Sequence, residues 1–299
     1  MTRQTAAALQ GRWLVVTDLD GTLLDDDYDL DAAAAAIDAQ TRRGRTVALA
    51  SSKTCDEMRE LARRCRAAPV LIFENGAGIA WPAPGAGGDT YRLEVAGEGY
   101  TALRGRLRTL RRRRGYRFLG FGDLSAREVA EHTGLSREGA RLARHRAASE
   151  PILWLDEPHR LTAFRAAVEA CGYRLVQGGR FHHVMPCTDK ARGLARVADA
   201  LGGDGVRLRI AALGDADNDL GMLRAADVAV VFPRRSGGYL AVPGADGRDR
   251  AVQAEAPGAR GWQEGLERAL KDAESAGAPD PRAAQGRTDG PGAGETPDE

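Results

Sequence analysis

Three polar clusters hold the residue types that chemistry on a phosphate ester requires. Asp18-Leu19-Asp20-Gly21-Thr22-Leu23 sets two carboxylates two residues apart. Ser51-Ser52-Lys53-Thr54 joins hydroxyls to an ammonium group, and Gly214-Asp215-Ala216-Asp217-Asn218-Asp219 adds carboxylates and an amide. Asp18, Asp215 and Asp219 offer hard oxygen ligands, which Mg²⁺ prefers and Zn²⁺ does not, and no His or Cys cluster competes with them. A carboxylate can attack phosphorus and form an aspartyl-phosphate. A second carboxylate two residues on can protonate the leaving oxygen and then take a proton from water. Lys190 would offset negative charge where Asp18 meets phosphate, and Ser51 would donate to a phosphoryl oxygen. Any one cluster could be ordinary helix capping by Asp and Ser. Capping does not account for all three together with the lysine.

The elements that must position these groups follow from hydrophobic periodicity. Leu14–Val16 is a short apolar run ending at Thr17-Asp18, Val47–Ala50 ends at Ser51, and residues 208–213 end at Gly214-Asp215. With Val70–Phe73 and Val228–Val231 they read as buried strands, and helices are expected near 31–43, 54–66, 189–201 and 218–225. This alternation predicts an α/β fold with a doubly wound parallel sheet. Ligands of such sheets bind beyond the carboxyl ends of the strands, where all three clusters fall. The stretch from Trp81 to Gly88 is rich in Pro and Gly and marks a boundary. Beyond it the texture changes to strands and helices grouped as an inserted α+β unit, with Tyr91–Val95 as its first strand. The expected division is residues 1–83 and 187–271 for the core, 84–186 for the insertion, and a disordered tail from 272 to 299.

Composition narrows the function further. The 299 residues carry 43 Lys+Arg against 42 Asp+Glu, a net charge of +1, which argues against a dedicated nucleic-acid binder. The arginine-rich run Arg111–Arg114 has no interleaved aromatic residues for base stacking and reads as a solvated helix face. No apolar stretch is long enough for a membrane span, and the first ten residues lack a signal-peptide core, so a cytoplasmic protein is expected. Cys55, Cys65, Cys171 and Cys187 form no CxxC pair, so neither a zinc ribbon nor a disulfide scaffold is supported. Only three of the basic residues are lysines, Lys53, Lys190 and Lys271, so lysines beside the clusters are informative.

Asp18–Leu23, Ser51, Lys190 and Gly214–Asp219 resemble, in order, the four motifs of the haloacid dehalogenase-like phosphatase superfamily. The resemblance implies Asp18 as nucleophile and Asp20 as acid/base. It implies Mg²⁺ held by Asp18, the Asp20 carbonyl and Asp215, with Asn218 and Asp219 supporting the phosphate and the metal's water shell. It also implies that the insertion is a cap of the kind that covers sugar-phosphate substrates. A narrower resemblance, to the mannosyl-3-phosphoglycerate phosphatase family, rests on Ser51–Thr54, Glu74-Asn75-Gly76-Ala77, Ala148–Trp154 and Gly178–His183. It implies a sugar-linked phosphoglycerate as substrate, with Asn75 among the binding residues. Lys53 and Arg180 suit the anionic end, and Glu150 suits the sugar hydroxyls. His182 and His183 alternate on a strand, so at most one points into the cleft. The competing expectations are a phosphatase for glucosyl-3-phosphoglycerate or sucrose phosphate, a phosphomutase, and a non-catalytic binder using the same cleft. Nothing in the sequence fixes an oligomeric state.

Overall fold

The computed structural model describes residues 13–83, 90–178, 181–203, 208–244 and 247–277. The first half alternates strand and helix: β1 (Trp13–Thr17), α1 (Leu30–Arg42), β2 (Thr46–Ala50), α2 (Cys55–Ala62) and β3 (Val70–Phe73). Local chemistry fixes the helix starts. Asp29 caps α1 by accepting from the N–H groups of Asp31 and Ala32, and Thr54 and Glu57 form a reciprocal capping box on α2. α2 stops at Ala62, one turn short of the expected end. Two antiparallel strands, β4 (Gly78–Pro82) and β5 (Tyr91–Val95), then extend the sheet.

After the insertion the chain returns through α7 (Lys190–Gly202), β10 (Arg209–Gly214), α8 (Leu220–Ala225), β11 (Val228–Val231), β12 (Val252–Gln253) and α9 (Gly258–Gly277). The eight-stranded sheet runs β12-β11-β10-β1-β2-β3-β4-β5 and is parallel through β3. Thr17 is in register with both Leu49 and Leu213. Asp18, Ser51 and Asp215, one or two residues further on, therefore leave the sheet at one edge. Helices cover both faces. Val15, Leu49 and Leu213 pack with α1, α2 and α9, while Leu14, Val16, Ala48 and Ala212 pack with α7 and α8. This is the doubly wound α/β core read from the sequence.

The insertion holds α3 (Gly99–Arg114), β6 (Phe118–Gly120), α4 (Ala126–Thr133), α5 (Arg137–Ala143), β7 (Glu150–Trp154), α6 (Arg160–Glu169), β8 (Tyr173–Gly178) and β9 (Phe181–Pro186). Its antiparallel sheet runs β6-β7-β9-β8. Leu103 and Leu107 of α3 and Phe164 and Val168 of α6 share one apolar cluster with this sheet, and α4 and α5 make a second with Phe121 and Phe181.

Two expected boundaries move. Tyr91–Val95 belongs to the large sheet and not to the insertion. It pairs along its whole length with β4, and the Tyr91 hydroxyl donates to the Pro69 carbonyl. The expected tail from 272 begins as helix, because α9 buries Trp262, Leu266, Ala269 and Leu270 and its polar last turns continue the same ladder to Gly277. Residues 278–299 lie outside the described set. All four cysteines are free, and no described helix is long and apolar enough to cross a membrane.

Trp262 is fully buried, and its indole N–H donates to Thr17 Oγ1 at 2.8 Å, tying α9 to the strand that ends at Asp18. Trp262→Ala is expected to cost about 3–5 kcal/mol, through the cavity left behind and the lost hydrogen bond to the Thr17 hydroxyl. The denaturant midpoint checks this.

Candidate active site

Asp18 follows β1 directly, and its N–H donates to the Leu213 carbonyl, so the sheet itself aims the residue. Lys190, the first residue of α7, is buried with 0% exposure. Its ammonium donates to Asp18 Oδ1 at 2.7 Å and to Asp219 Oδ1 at 2.6 Å. The other Asp219 oxygen accepts from the N–H groups of Asp215 and Ala216, which fixes the loop after β10. Asp215 accepts from the Thr22 hydroxyl at 3.2 Å. Gly21 sits opposite with φ +77°, and a Cβ there would fall 2.8 Å from Asp215 Oδ2. The loop after β1 can approach this carboxylate only because position 21 is glycine.

One oxygen each from Asp18, Asp215 and Asp219 lie within 4.8 Å of one another. Three carboxylates thus stand beside a single ammonium. Burial pushes Asp18 up to about 8, with Lys190 pulling against it, and burial together with Asp219 raises Asp215. Burial works against the Lys190 charge, but Asp18 and Asp219 outweigh it and hold the ammonium above its ordinary value. An oxygen-only donor set with uncompensated negative charge fits a hard divalent cation.

The Asp20 side chain has partners of its own outside this cluster. Tyr28 donates its hydroxyl to Asp20 Oδ1 at 2.7 Å, and Lys53 Nζ lies 3.0 Å from Oδ2. Asp20, Tyr28, Lys53, Asp215 and Arg234 line a cleft of about 1070 Å³, together with Thr133 and Leu135 of the insertion. Ser51 is buried, and its Oγ accepts from the Lys53 N–H. Asn75 has φ +56°, and its side-chain oxygen accepts from Asn218 Nδ2 at 3.1 Å, which joins the loops after β3 and β10. Asp18, Asp20, Ser51, Lys53, Asn75, Lys190, Asp215, Asn218 and Asp219 are thus gathered at one sheet edge.

The insertion residues fare differently. Glu150, expected to meet sugar hydroxyls, is fully buried inside the insertion. Its oxygens accept from the Tyr100 hydroxyl, Arg104 Nη1 and the Gly122 N–H, so none is free to reach a ligand. That expectation is corrected: the carboxylate braces α3 and the 121–123 turn against β7. Arg180 lies outside the described residues. Val184 packs with Phe164 while Met185 packs with Ala77 of the core, so alternation puts His183 on the core-facing side and His182 on the helix side.

Sequence reasoning missed three residues. Tyr28 was hidden by the acidic run before it, Asp25–Asp27, which reads as a solvated loop. Arg234 donates to the Asp215 carbonyl from a loop that carries no motif. Glu74 stood within a quoted stretch without a role. It is buried at φ +50°, and its carboxylate accepts from the N–H groups of Ala147, Ala148 and Ser149 and from the Ser149 hydroxyl, with Arg146 Nε at 3.5 Å. Core and insertion meet at this side chain, as they also do where the Thr54 hydroxyl donates to the Leu142 carbonyl.

The haloacid dehalogenase-like hydrolase family matches residues 15–85, the segment from β1 to beyond β4. A glucosyl-3-phosphoglycerate/mannosyl-3-phosphoglycerate phosphatase of Methanococcoides burtonii is 30% identical over 76% of this chain and 86% of its own length. The chain belongs to the haloacid dehalogenase-like hydrolases. It is a phosphoric monoester hydrolase of that family. A relative of the same name from Persephonella marina is 29% identical over 87% of this chain and 98% of its own. Among solved structures, a haloacid dehalogenase-like hydrolase from Bacteroides thetaiotaomicron superposes with a TM-score of 0.59, at 16% identity, over 87% of this chain and 99% of its own. That likeness concerns the fold of this hydrolase.

Two outcomes are expected. Lys190→Met leaves Asp18 and Asp219 facing each other without a cation and should cost about 3–5 kcal/mol, read from the denaturant midpoint. Burial, reinforced by Arg146, pushes the His183 imidazole down to about 3. As pH falls from the ordinary value of 6.5 toward 3, the unfolded chain binds a proton that the folded hydrolase refuses. This part of the stability is complete above pH 6.5 and is lost on acidification. His183→Gln should flatten that loss, seen by comparing midpoints at about pH 7 and about pH 5.

Proposed function

We propose that this hydrolase cleaves the phosphomonoester of mannosyl-3-phosphoglycerate, releasing mannosylglycerate, a compatible solute, and phosphate. The observation that carries the reading is the buried Lys190 ammonium holding Asp18, with Asp215 beside it and Asp20 two residues on. The relatives' names favour this substrate class and pair it with the glucosyl ester, so glucosyl-3-phosphoglycerate is the second reading.

In the proposed reaction a carboxylate oxygen of Asp18 attacks phosphorus, the ester P–O bond breaks, and Asp20 gives its proton to the departing oxygen. Water then attacks the aspartyl-phosphate, Asp20 takes the proton, and the bond to Asp18 breaks to release phosphate. Ser51 and Lys190 stabilise the phosphoryl oxygens. Mg²⁺, held by Asp18, Asp215 and the Asp20 backbone carbonyl, would supply the positive charge that the carboxylate cluster lacks. Asn218 and Asp219 support that site. Residues 99–186 act as a cap that excludes water and reads the organic part of the substrate, with Lys53, Asn75 and Arg180 toward its anionic end.

Asp18→Asn is expected to lower phosphate release about a thousandfold or more, and chelation by EDTA should abolish it until Mg²⁺ is restored. Turnover retained in Asp18→Asn would remove the covalent step. A panel of mannosyl-3-phosphoglycerate, glucosyl-3-phosphoglycerate and sucrose phosphate, read by released phosphate without any phospho-sugar activator, should rank the first two well above the third. Dependence on an activator would indicate a mutase instead.

A further inference from the structure

Tyr28 is one of three non-glycine residues with positive φ among the described residues, at +57°. Left-handed backbone is uncommon for a bulky aromatic side chain and persists only where the surroundings demand it. The demand comes from both sides. Asp29, the next residue, is locked as the N-cap of α1, and the Tyr28 hydroxyl reaches back eight residues to Asp20 Oδ1. Lys53 approaches from the loop after β2, pairs with Asp20 Oδ2 at 3.0 Å, and lies 5.3 Å from the centre of the Tyr28 ring. Each oxygen of Asp20 therefore has its own partner.

A carboxyl group with one partner can still turn about its Cβ–Cγ bond, whereas two partners on different oxygens fix its plane. We propose that Tyr28 is a positioning residue, which together with Lys53 sets the Asp20 carboxyl plane for proton delivery to the leaving oxygen. The proposal rests on the two-step reading above. In the first half-reaction the P–O bond to Asp18 forms, the ester P–O bond breaks, and the Asp20 proton passes to the departing oxygen to give the free alcohol. An alkoxide needs that proton as it leaves. A p-nitrophenolate does not, so it reports on the attack by Asp18 without the acid. Tyr28 also borders a smaller apolar pocket of about 300 Å³ with Leu19, Leu24 and Leu135, so packing is the rival role. Packing would act on both esters alike.

The test uses the full chain with Mg²⁺ and rapid-quench measurement of the first half-reaction, on mannosyl-3-phosphoglycerate and on p-nitrophenyl phosphate. In Tyr28→Phe, which keeps the ring and removes the hydroxyl, the ratio of the alkyl to the aryl rate should fall about ten- to a hundredfold. KM for the alkyl ester should stay within about twofold, because positioning an acid alters kcat and not ground-state binding. Equal losses on both esters, a change confined to KM, or no change in the ratio would overturn the proposal. A wild-type chain that cleaves the aryl ester but not the alkyl one would overturn the substrate reading, and with it the need for a positioned acid. If the ratio falls only for Tyr28→Phe while wild type turns over both, both readings stand.

Discussion

An ammonium group sealed between two carboxylates governs this site. Lys190 has no exposure to solvent, so its charge survives burial only because Asp18 and Asp219 lie against it. The constraint propagates. Asp219 can serve Lys190 with one oxygen because its other oxygen collects the N–H groups of Asp215 and Ala216, and this fixes where Asp215 points. One buried cation thus orders residues from three separate stretches of the chain. The arrangement remains short of positive charge, which is why burial lifts the Asp18 and Asp215 carboxyls above their ordinary range.

The parallel sheet makes this convergence possible. β1 lies between β2 and β10 with Thr17 in register with Leu49 and Leu213, so three loops leave from neighbouring strand ends. The surrounding packing holds β1 from both faces, with every residue of the strand buried. The loop after β3 then has two duties. Asn75 reaches Asn218 on the catalytic side, and Glu74, its neighbour, gathers backbone donors from the insertion. Consecutive left-handed residues, Glu74, Asn75 and Gly76, let one short turn face both ways, and at Gly76 a Cβ would strike the Asp189 carbonyl.

Much of this was legible from residue order, and the exceptions share a cause. Strand and helix alternation with polar strand ends gave the core and the gathered carboxylates, because in a parallel sheet sequence position maps onto position along an edge. The strand Tyr91–Val95 was legible as a strand but not as a member of the large sheet, since its partner β4 is short and includes Gly78 and Pro82. α9 was lost in a composition rich in Gly, Ala and acid, although Trp262 marks its buried face. Glu150 and Tyr28 failed in opposite directions. A glutamate in a suggestive stretch proved to be an internal brace, while a tyrosine in a bland loop proved to touch Asp20. Side-chain partners across long separations leave no periodic trace, so residue type alone cannot assign them.

The Glu74 contact bears on how such enzymes diversify. Its two halves lie more than seventy residues apart in sequence, one in the turn after β3 and the other just ahead of β7. A graft that moved the insertion at its apparent boundaries would carry Ser149 and its neighbours but leave Glu74 behind in the donor core. Exchange of the insertion between such hydrolases therefore favours pairs that share this acidic anchor, and protein engineers recombining them should treat both segments as one inherited unit.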